Sequence, residues 1–148
     1  MKALTTQLLA IMLFMLTGSG YAQTPKSEPL FSNLPSVINC NPAQFEEIFN
    51  SKAGTFSKLT LNNNAYFGGK VIMNEVKYHN LRTVAIQSPH FNNAVFSLSR
   101  QINDDNSISY TGRILKVGAP DGYEIKRDEK GNYFLSKFIT VDIQPVCL

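Results

Sequence analysis

The chain has 148 residues, of which 43% are hydrophobic and 17% are charged, and its formal net charge is +3. This length corresponds to about one domain, and the hydrophobic fraction excludes a wholly disordered chain. The basic residues are dispersed among acidic ones. Nucleic acid is therefore excluded as the expected partner, because a phosphate-binding face needs a clustered basic stripe.

Residues 1–22 have the organisation of a secretory signal peptide. A positively charged start is followed by an uninterrupted apolar run of nine residues at 8–16, and small residues at Gly20 and Ala22 precede a cleavage site. The apolar run is about half the roughly 20 residues that a transmembrane helix needs. The sequence therefore predicts a secreted or periplasmic chain that begins at Gln23, with no membrane span after cleavage.

A proline-rich lead is predicted over residues 23–39, which hold three of the seven prolines. Proline favours extended or turn geometry, so we expect this segment to be irregular. Its apolar residues Leu30, Phe31 and Leu34 make it a candidate arm for engaging a partner.

The two cysteines of the chain, Cys40 and Cys147, both follow the signal segment. Export places them where disulfides form, and two cysteines allow one intramolecular pairing. A Cys40–Cys147 bond closes a loop of about 100 residues, which the chain-entropy model values at roughly 4–5 kcal/mol. We predict this disulfide as a staple between the two ends of the domain; an intermolecular bond or reactive thiols are the alternatives.

One short helix is predicted over residues 42–52. Asn41 is a suitable N-cap, and Pro42 suits the first helical position. Three apolar side chains recur with i, i+3, i+4 spacing and form one face of this helix: Phe45, Ile48 and Phe49. Gly54 ends the helical pattern.

From residue 55 onward the apolar residues recur with a period of two, which is typical of β-strands. Clusters of Asn, Asp and Gly separate seven such runs: 56–61, 70–78, 81–88, 94–102, 107–117, 122–127 and 132–143. No second helical pattern intervenes, so a parallel sheet is not expected. Gly112 lies in the middle of a run, where a bend of the sheet is the favoured explanation over a bulge or a close backbone approach.

The predicted fold is mainly β, with a minor helical part. It is an antiparallel meander of six to seven strands, strongly bent or partly closed into a barrel, with one short N-terminal helix. The predicted organisation is a signal peptide at 1–22, the irregular lead at 23–39 and a single disulfide-stapled β domain at 40–148.

Motifs for catalysis, cofactors and metals are absent from the sequence. It contains no nucleophile elbow, phosphate loop, Cys-x-x-Cys or His-Glu-x-x-His pattern. The two histidines, His79 and His90, fall in predicted turns and are expected to be exposed there. We therefore expect no catalytic residues, no metal and no cofactor.

Arg100, Tyr110 and Arg113 are the candidate binding residues. Both arginines interrupt predicted neighbouring strands, and a guanidinium fork suits recognition of a carboxylate. The alternative is structural, with each arginine facing solvent or pairing with an acid on a flanking strand.

The leading functional prediction is an exported, non-enzymatic binding or interaction module, for example one that caps or inhibits another secreted protein. Its partner is expected to be another exported protein or peptide. The alternative is a small-ligand carrier with an apolar cavity inside the barrel. The third hypothesis is an enzyme whose site is assembled from scattered residues. The oligomeric state is left open by the sequence.

Overall fold

The computed structural model describes residues 28–62 and 65–139. The predicted signal peptide, Cys147 and the end of the last predicted strand lie outside these residues. The elements in chain order are β1 (Val37–Cys40), α1 (Pro42–Asn50), β2 (Phe56–Asn62), β3 (Ala65–Tyr78), β4 (Leu81–Ser88), a 3-10 turn (Pro89–Phe91), β5 (Ala94–Ile102), β6 (Ile108–Leu115), β7 (Asp121–Arg127) and β8 (Tyr133–Ile139).

The strands form one antiparallel sheet in the order β1-β8-β7-β6-β5-β4-β3-β2. From β2 to β8 each strand pairs with the next along the chain. The two edge strands, β1 and β2, approach each other, so the sheet is nearly closed into a barrel. This confirms the mainly β, antiparallel meander with one helix.

The sheet has eight strands, so the predicted count of six to seven is too low. The additional strand is β1, which falls largely within the segment expected to be irregular and pairs with β8 from Val37↔Ser136 to Cys40↔Tyr133. Prolines precede β1 but do not interrupt it, so the N–H groups of β1 remain available for hydrogen bonds to β8.

Strand β3 begins five residues before its predicted start at residue 70, because Gly68 and Gly69 belong to the strand. A Cβ on Gly69 would lie 1.9 Å from the Gln87 carbonyl oxygen. The absent side chain therefore lets β4 approach closely.

The helix begins as predicted and ends two residues earlier, at Asn50. The Asn41 side chain accepts a hydrogen bond from the Ala43 N–H at 2.9 Å, and Pro42 occupies the first position. The predicted apolar face is the buried face: Phe45, Ile48 and Phe49 are at most 1% exposed. None of the helices in the described ranges is both long and apolar enough to cross a bilayer.

Side chains fill the interior of the barrel, and each end is closed. At one end α1 inserts Phe45, whose ring centroid lies 5.2 Å from that of Tyr110 and 6.0 Å from that of Tyr133. At the other end Phe31 is 1% exposed and contacts the rings of Phe91 and Tyr123 at 5.5 and 5.6 Å.

Three polar side chains, which we call the lead clamp, hold the segment around Phe31: Asp121, Tyr123 and Lys137. The buried Asp121 carboxylate accepts the N–H groups of Leu30 and Phe31 at 2.7 and 2.8 Å. Tyr123 donates its hydroxyl to the Pro35 carbonyl, and the Lys137 ammonium donates to the carbonyls of Phe31 and Leu34, both at 2.6 Å. Burial raises the pKa of Tyr123 to about 12, so its hydroxyl remains a donor.

The described part of the lead, residues 28–39, is therefore held against the barrel rather than free. Phe31 is buried, and Leu30 and Leu34 pack against the core of their own chain. The prediction that these three residues form an arm for a partner is wrong, because they cover an apolar end of their own barrel.

Gly112 marks a close approach of two strands. A Cβ at this position would lie 2.5 Å from the Ser97 carbonyl oxygen and 3.0 Å from Cδ1 of Ile125. Next to it, β6 pairs with β7 at only two positions, Arg113↔Glu124 and Ile114↔Tyr123. Of the three explanations considered for this glycine, the close backbone approach is the one that the structure displays.

Candidate functional site

The three candidate binding residues do not form one site. Arg100 is the register partner of Tyr110, and both side chains lie on the inner face of the sheet. Arg113 is three residues beyond Tyr110, so strand alternation places it on the outer face, where its side chain is 60% exposed. Arg100 and Arg113 therefore lie on opposite faces of the sheet, because an odd spacing separates Arg113 from the inner-face residues of β6.

Arg113 forms an ion pair across the outer face with Glu124 of β7. Its Nη2 and Nε atoms lie 2.7 and 3.1 Å from Oε1 of that carboxylate. This is the pairing with an acid on a flanking strand that the structural alternative described. An exposed pair of this kind contributes about 0–1 kcal/mol to stability.

Glu46 of α1 joins the other two candidate residues. Its Oε2 lies 2.8 Å from Nη1 of Arg100, and its Oε1 accepts a hydrogen bond from the Tyr110 hydroxyl. The Arg100 guanidinium also lies 5.4 Å from the ring centroid of Phe49, within the range of a cation–π contact.

The pKa of Tyr110 is raised above its ordinary value. Burial is the main cause, and the hydrogen bond and negative charge of Glu46 add to it. Tyr110 therefore stays protonated at neutral pH and acts as a hydrogen-bond donor rather than as a base or nucleophile.

Arg82 of β4 completes this group, and the sequence analysis did not single it out. It is the register partner of Arg100 on one side and of Val76 on the other. Its Nε donates to Oδ1 of Asn74 at 2.9 Å, and the Asn74 amide nitrogen donates to the carbonyls of Phe49 and Ser51 at the end of α1. The helix end thus fixes the position of the Arg82 guanidinium.

The two arginines line a depression of about 110 Å³ formed by the end of β3, the β3–β4 turn, the start of β4 and the end of β5. We call it the arginine notch; its lining includes Val76, Tyr78, Leu81, Arg82, Arg100 and Ile102. Three of these apolar side chains are exposed, with Val76 at 68%, Tyr78 at 69% and Ile102 at 38%. The notch therefore combines cationic hydrogen-bond donors with an apolar border.

A second and wider depression of about 440 Å³ lies at the junction of β5, β6 and β7. Hydroxyl groups of Ser97, Ser99 and Thr111 line it, together with the Arg113–Glu124 pair. Its charged groups are already matched to each other, so it offers no unpaired charge to a ligand.

The histidines are exposed, as expected, at the β3–β4 turn and in the 3-10 turn. Within residues 28–62 and 65–139, no three side chains of the His, Cys, Asp and Glu types converge on a point that would suit a metal ion.

The Cys40 thiol is free in the structure, and its predicted partner lies outside the described residues. It contacts the Ile38 carbonyl at 3.6 Å, and burial raises its pKa to about 11. Cys40 pairs with Tyr133 at the start of β8, and the strand ends at Ile139. The Cys40–Cys147 disulfide therefore stays a prediction.

No protein-family model, curated protein or solved structure matches this chain. The candidate site consequently stands on its own geometry. Glu46 and Arg82 are the two residues of it that sequence reasoning missed. The position of Glu46 beside Phe45, at the border of the apolar helix face, could have indicated its role. No local sequence pattern indicates the role of Arg82, because that role depends on strand register.

Proposed function

We propose that this chain is an exported, non-enzymatic module that binds another exported protein or peptide. The filled barrel interior carries this proposal. Phe31 closes one end and α1 the other, and the side chains between them are buried. Recognition by such a molecule uses its outer surface.

The arginine notch provides a surface feature for this binding. Arg82 and Arg100 supply guanidinium donors, and the exposed side chains of Val76, Tyr78 and Ile102 supply apolar area beside them. Arginine and tyrosine are enriched among the residues that dominate protein interfaces. Export through the predicted signal segment places the module where secreted partners are found.

A small-ligand carrier is the second candidate, favoured by the near closure of the sheet into a barrel. Loading the interior requires that Phe31 or the α1 residue Phe45 leave its place. Either movement exposes a large aromatic side chain and breaks the contacts that cover the barrel end.

Native mass spectrometry of the exported chain, purified without detergent, distinguishes these functions. We expect a mature mass that begins at Gln23, no bound apolar small molecule, and capture of a partner protein in fixed stoichiometry from the exported fraction of the native source. Phe31→Ala is the matched control, because it opens space at one barrel end and should take up an apolar dye. A stoichiometric apolar compound in the unaltered chain would establish the carrier instead.

A further inference from the structure

The arginine notch holds two like charges at directly opposed positions. Arg82 on β4 and Arg100 on β5 are register partners, so their Cβ atoms lie about 5 Å apart. Like charges in this arrangement destabilise a sheet. The ion pairs of the described residues include a carboxylate for Arg100 and none for Arg82. Glu46 compensates Arg100, so the Arg82 guanidinium is the uncompensated charge of the notch, and the His79 side chain lines the same space.

Several guanidinium donors in the notch are unused. Arg82 makes its hydrogen bond through Nε to Asn74, and Arg100 makes its bond through Nη1 to Glu46. Among the described residues, nothing accepts from the Nη atoms of Arg82 or from Nη2 of Arg100. Guanidinium forks match the two oxygens of a carboxylate. The two Nη atoms of Arg82 and the Nη2 atom of Arg100, on neighbouring strands, form a cradle for one anion.

The size and border of the notch indicate what the anion is attached to. A depression of about 110 Å³ accommodates a carboxylate with a few attached carbon atoms. Val76, Leu81 and Ile102 line the same space, so the attached group is apolar. One uncompensated charge matches a monoanion better than a dianionic phosphate.

We infer that the arginine notch binds a monoanionic carboxylate carried on an apolar group. This inference rests on the proposed function, which favours the C-terminal carboxylate of a partner polypeptide that ends in an apolar residue. A free alkyl carboxylate offers the same chemistry, and the ligand series below separates the two sources.

Isothermal titration of the mature chain with four ligands tests the chemistry. They are an N-acetylated tetrapeptide ending in a free valine carboxylate, its C-terminal amide, hexanoate and inorganic phosphate. We expect the free peptide to bind at least tenfold more tightly than its amide and than phosphate, because charge-assisted hydrogen bonds are lost from the amide. Hexanoate that binds as tightly as the peptide identifies a small acid as the ligand. Equal binding of peptide and amide, or tighter binding of phosphate, would overturn the inference.

Variants at the notch locate the binding. Arg82→Gln should weaken the binding of the free-carboxylate peptide by about tenfold to a hundredfold. Arg113→Gln, which removes one guanidinium from the outer face, should leave this binding unchanged. Val76→Glu places a carboxylate directly opposite Arg82 at an exposed position, so it should block binding without lowering the melting temperature. Val76→Gln is the neutral control and should still bind. Equal effects of Arg82→Gln and Arg113→Gln contradict the assignment.

Partner capture with the same variants separates this inference from the proposed function. Capture that survives Val76→Glu overturns the role of the notch and leaves the binding module intact. Peptide binding that is lost in Val76→Glu, combined with no captured partner for the unaltered chain, supports the notch and refutes the proposed function.

Discussion

The lead clamp makes the stability of the barrel depend on Asp121. This carboxylate is 3% exposed and receives two backbone N–H groups, one on each oxygen, from Leu30 and Phe31. Asp121→Asn keeps the shape of the side chain but turns one acceptor into an amide donor that faces an N–H group. One of the two hydrogen bonds is therefore lost, and a buried N–H is left without an acceptor.

The expected cost follows from these two contacts. A hydrogen bond to a charged group contributes about 1.5–3 kcal/mol, and a buried unpaired N–H costs about 1–3 kcal/mol, with part of the two effects shared. We expect Asp121→Asn to lower the free energy of unfolding by about 2–4 kcal/mol, which is a fall in melting temperature of roughly 10 °C for a domain of this size. Glu124→Gln, on the same strand, removes an exposed ion pair and should cost at most about 1 kcal/mol.

Urea unfolding followed by far-ultraviolet circular dichroism measures both variants, because the chain has no tryptophan for fluorescence. Hydrogen exchange adds a local measurement: the amides of Leu30 and Phe31 should be protected in the unaltered chain and exchange faster in Asp121→Asn. An unfolding free energy for Asp121→Asn equal to that of Glu124→Gln refutes the reasoning. Unprotected Leu30 and Phe31 amides in the unaltered chain refute it equally.

Three further predictions concern the ends of the chain, the tyrosine and the sheet. The exported protein should be two hydrogens lighter without reductant than with it, owing to a Cys40–Cys147 bond, and two titratable thiols in the oxidised protein would argue against that bond. Because the pKa of Tyr110 is raised in the folded chain, its contribution to stability is full below about pH 10 and is lost as the pH rises beyond it. Tyr110→Phe should flatten this alkaline decline in the urea midpoint, and an unchanged slope would contradict the assignment. Gly112→Ala brings a Cβ to 2.5 Å from the Ser97 oxygen, so it should lower the unfolding free energy by about 1–3 kcal/mol, whereas an unaltered urea midpoint would mean that the strands separate freely.

Local sequence patterns were sufficient to predict the elements that interactions between near neighbours in the chain determine. Asn41 and Pro42 start the helix through a side-chain cap and a fixed φ, both of which act within a few residues. Alternating apolar residues identified the strands from β2 to β8 because one face of each strand is buried. The predicted start of β3 at residue 70 lies too far along the chain, because Gly68 and Gly69 resemble a turn in the sequence. Only the structure shows that these glycines allow the close approach of Gln87.

The sequence by itself determined the helix, the meander and the paucity of catalytic motifs. Tertiary structure alone decided the site. Arg82 and Arg100 are 18 positions apart and become neighbours only because the β3–β4–β5 register aligns them, while Glu46 reaches Arg100 only because α1 closes that end of the barrel. The same holds for β1, whose partner β8 is almost a hundred residues away. Register and packing set these contacts between distant parts of the chain, so no local pattern records them.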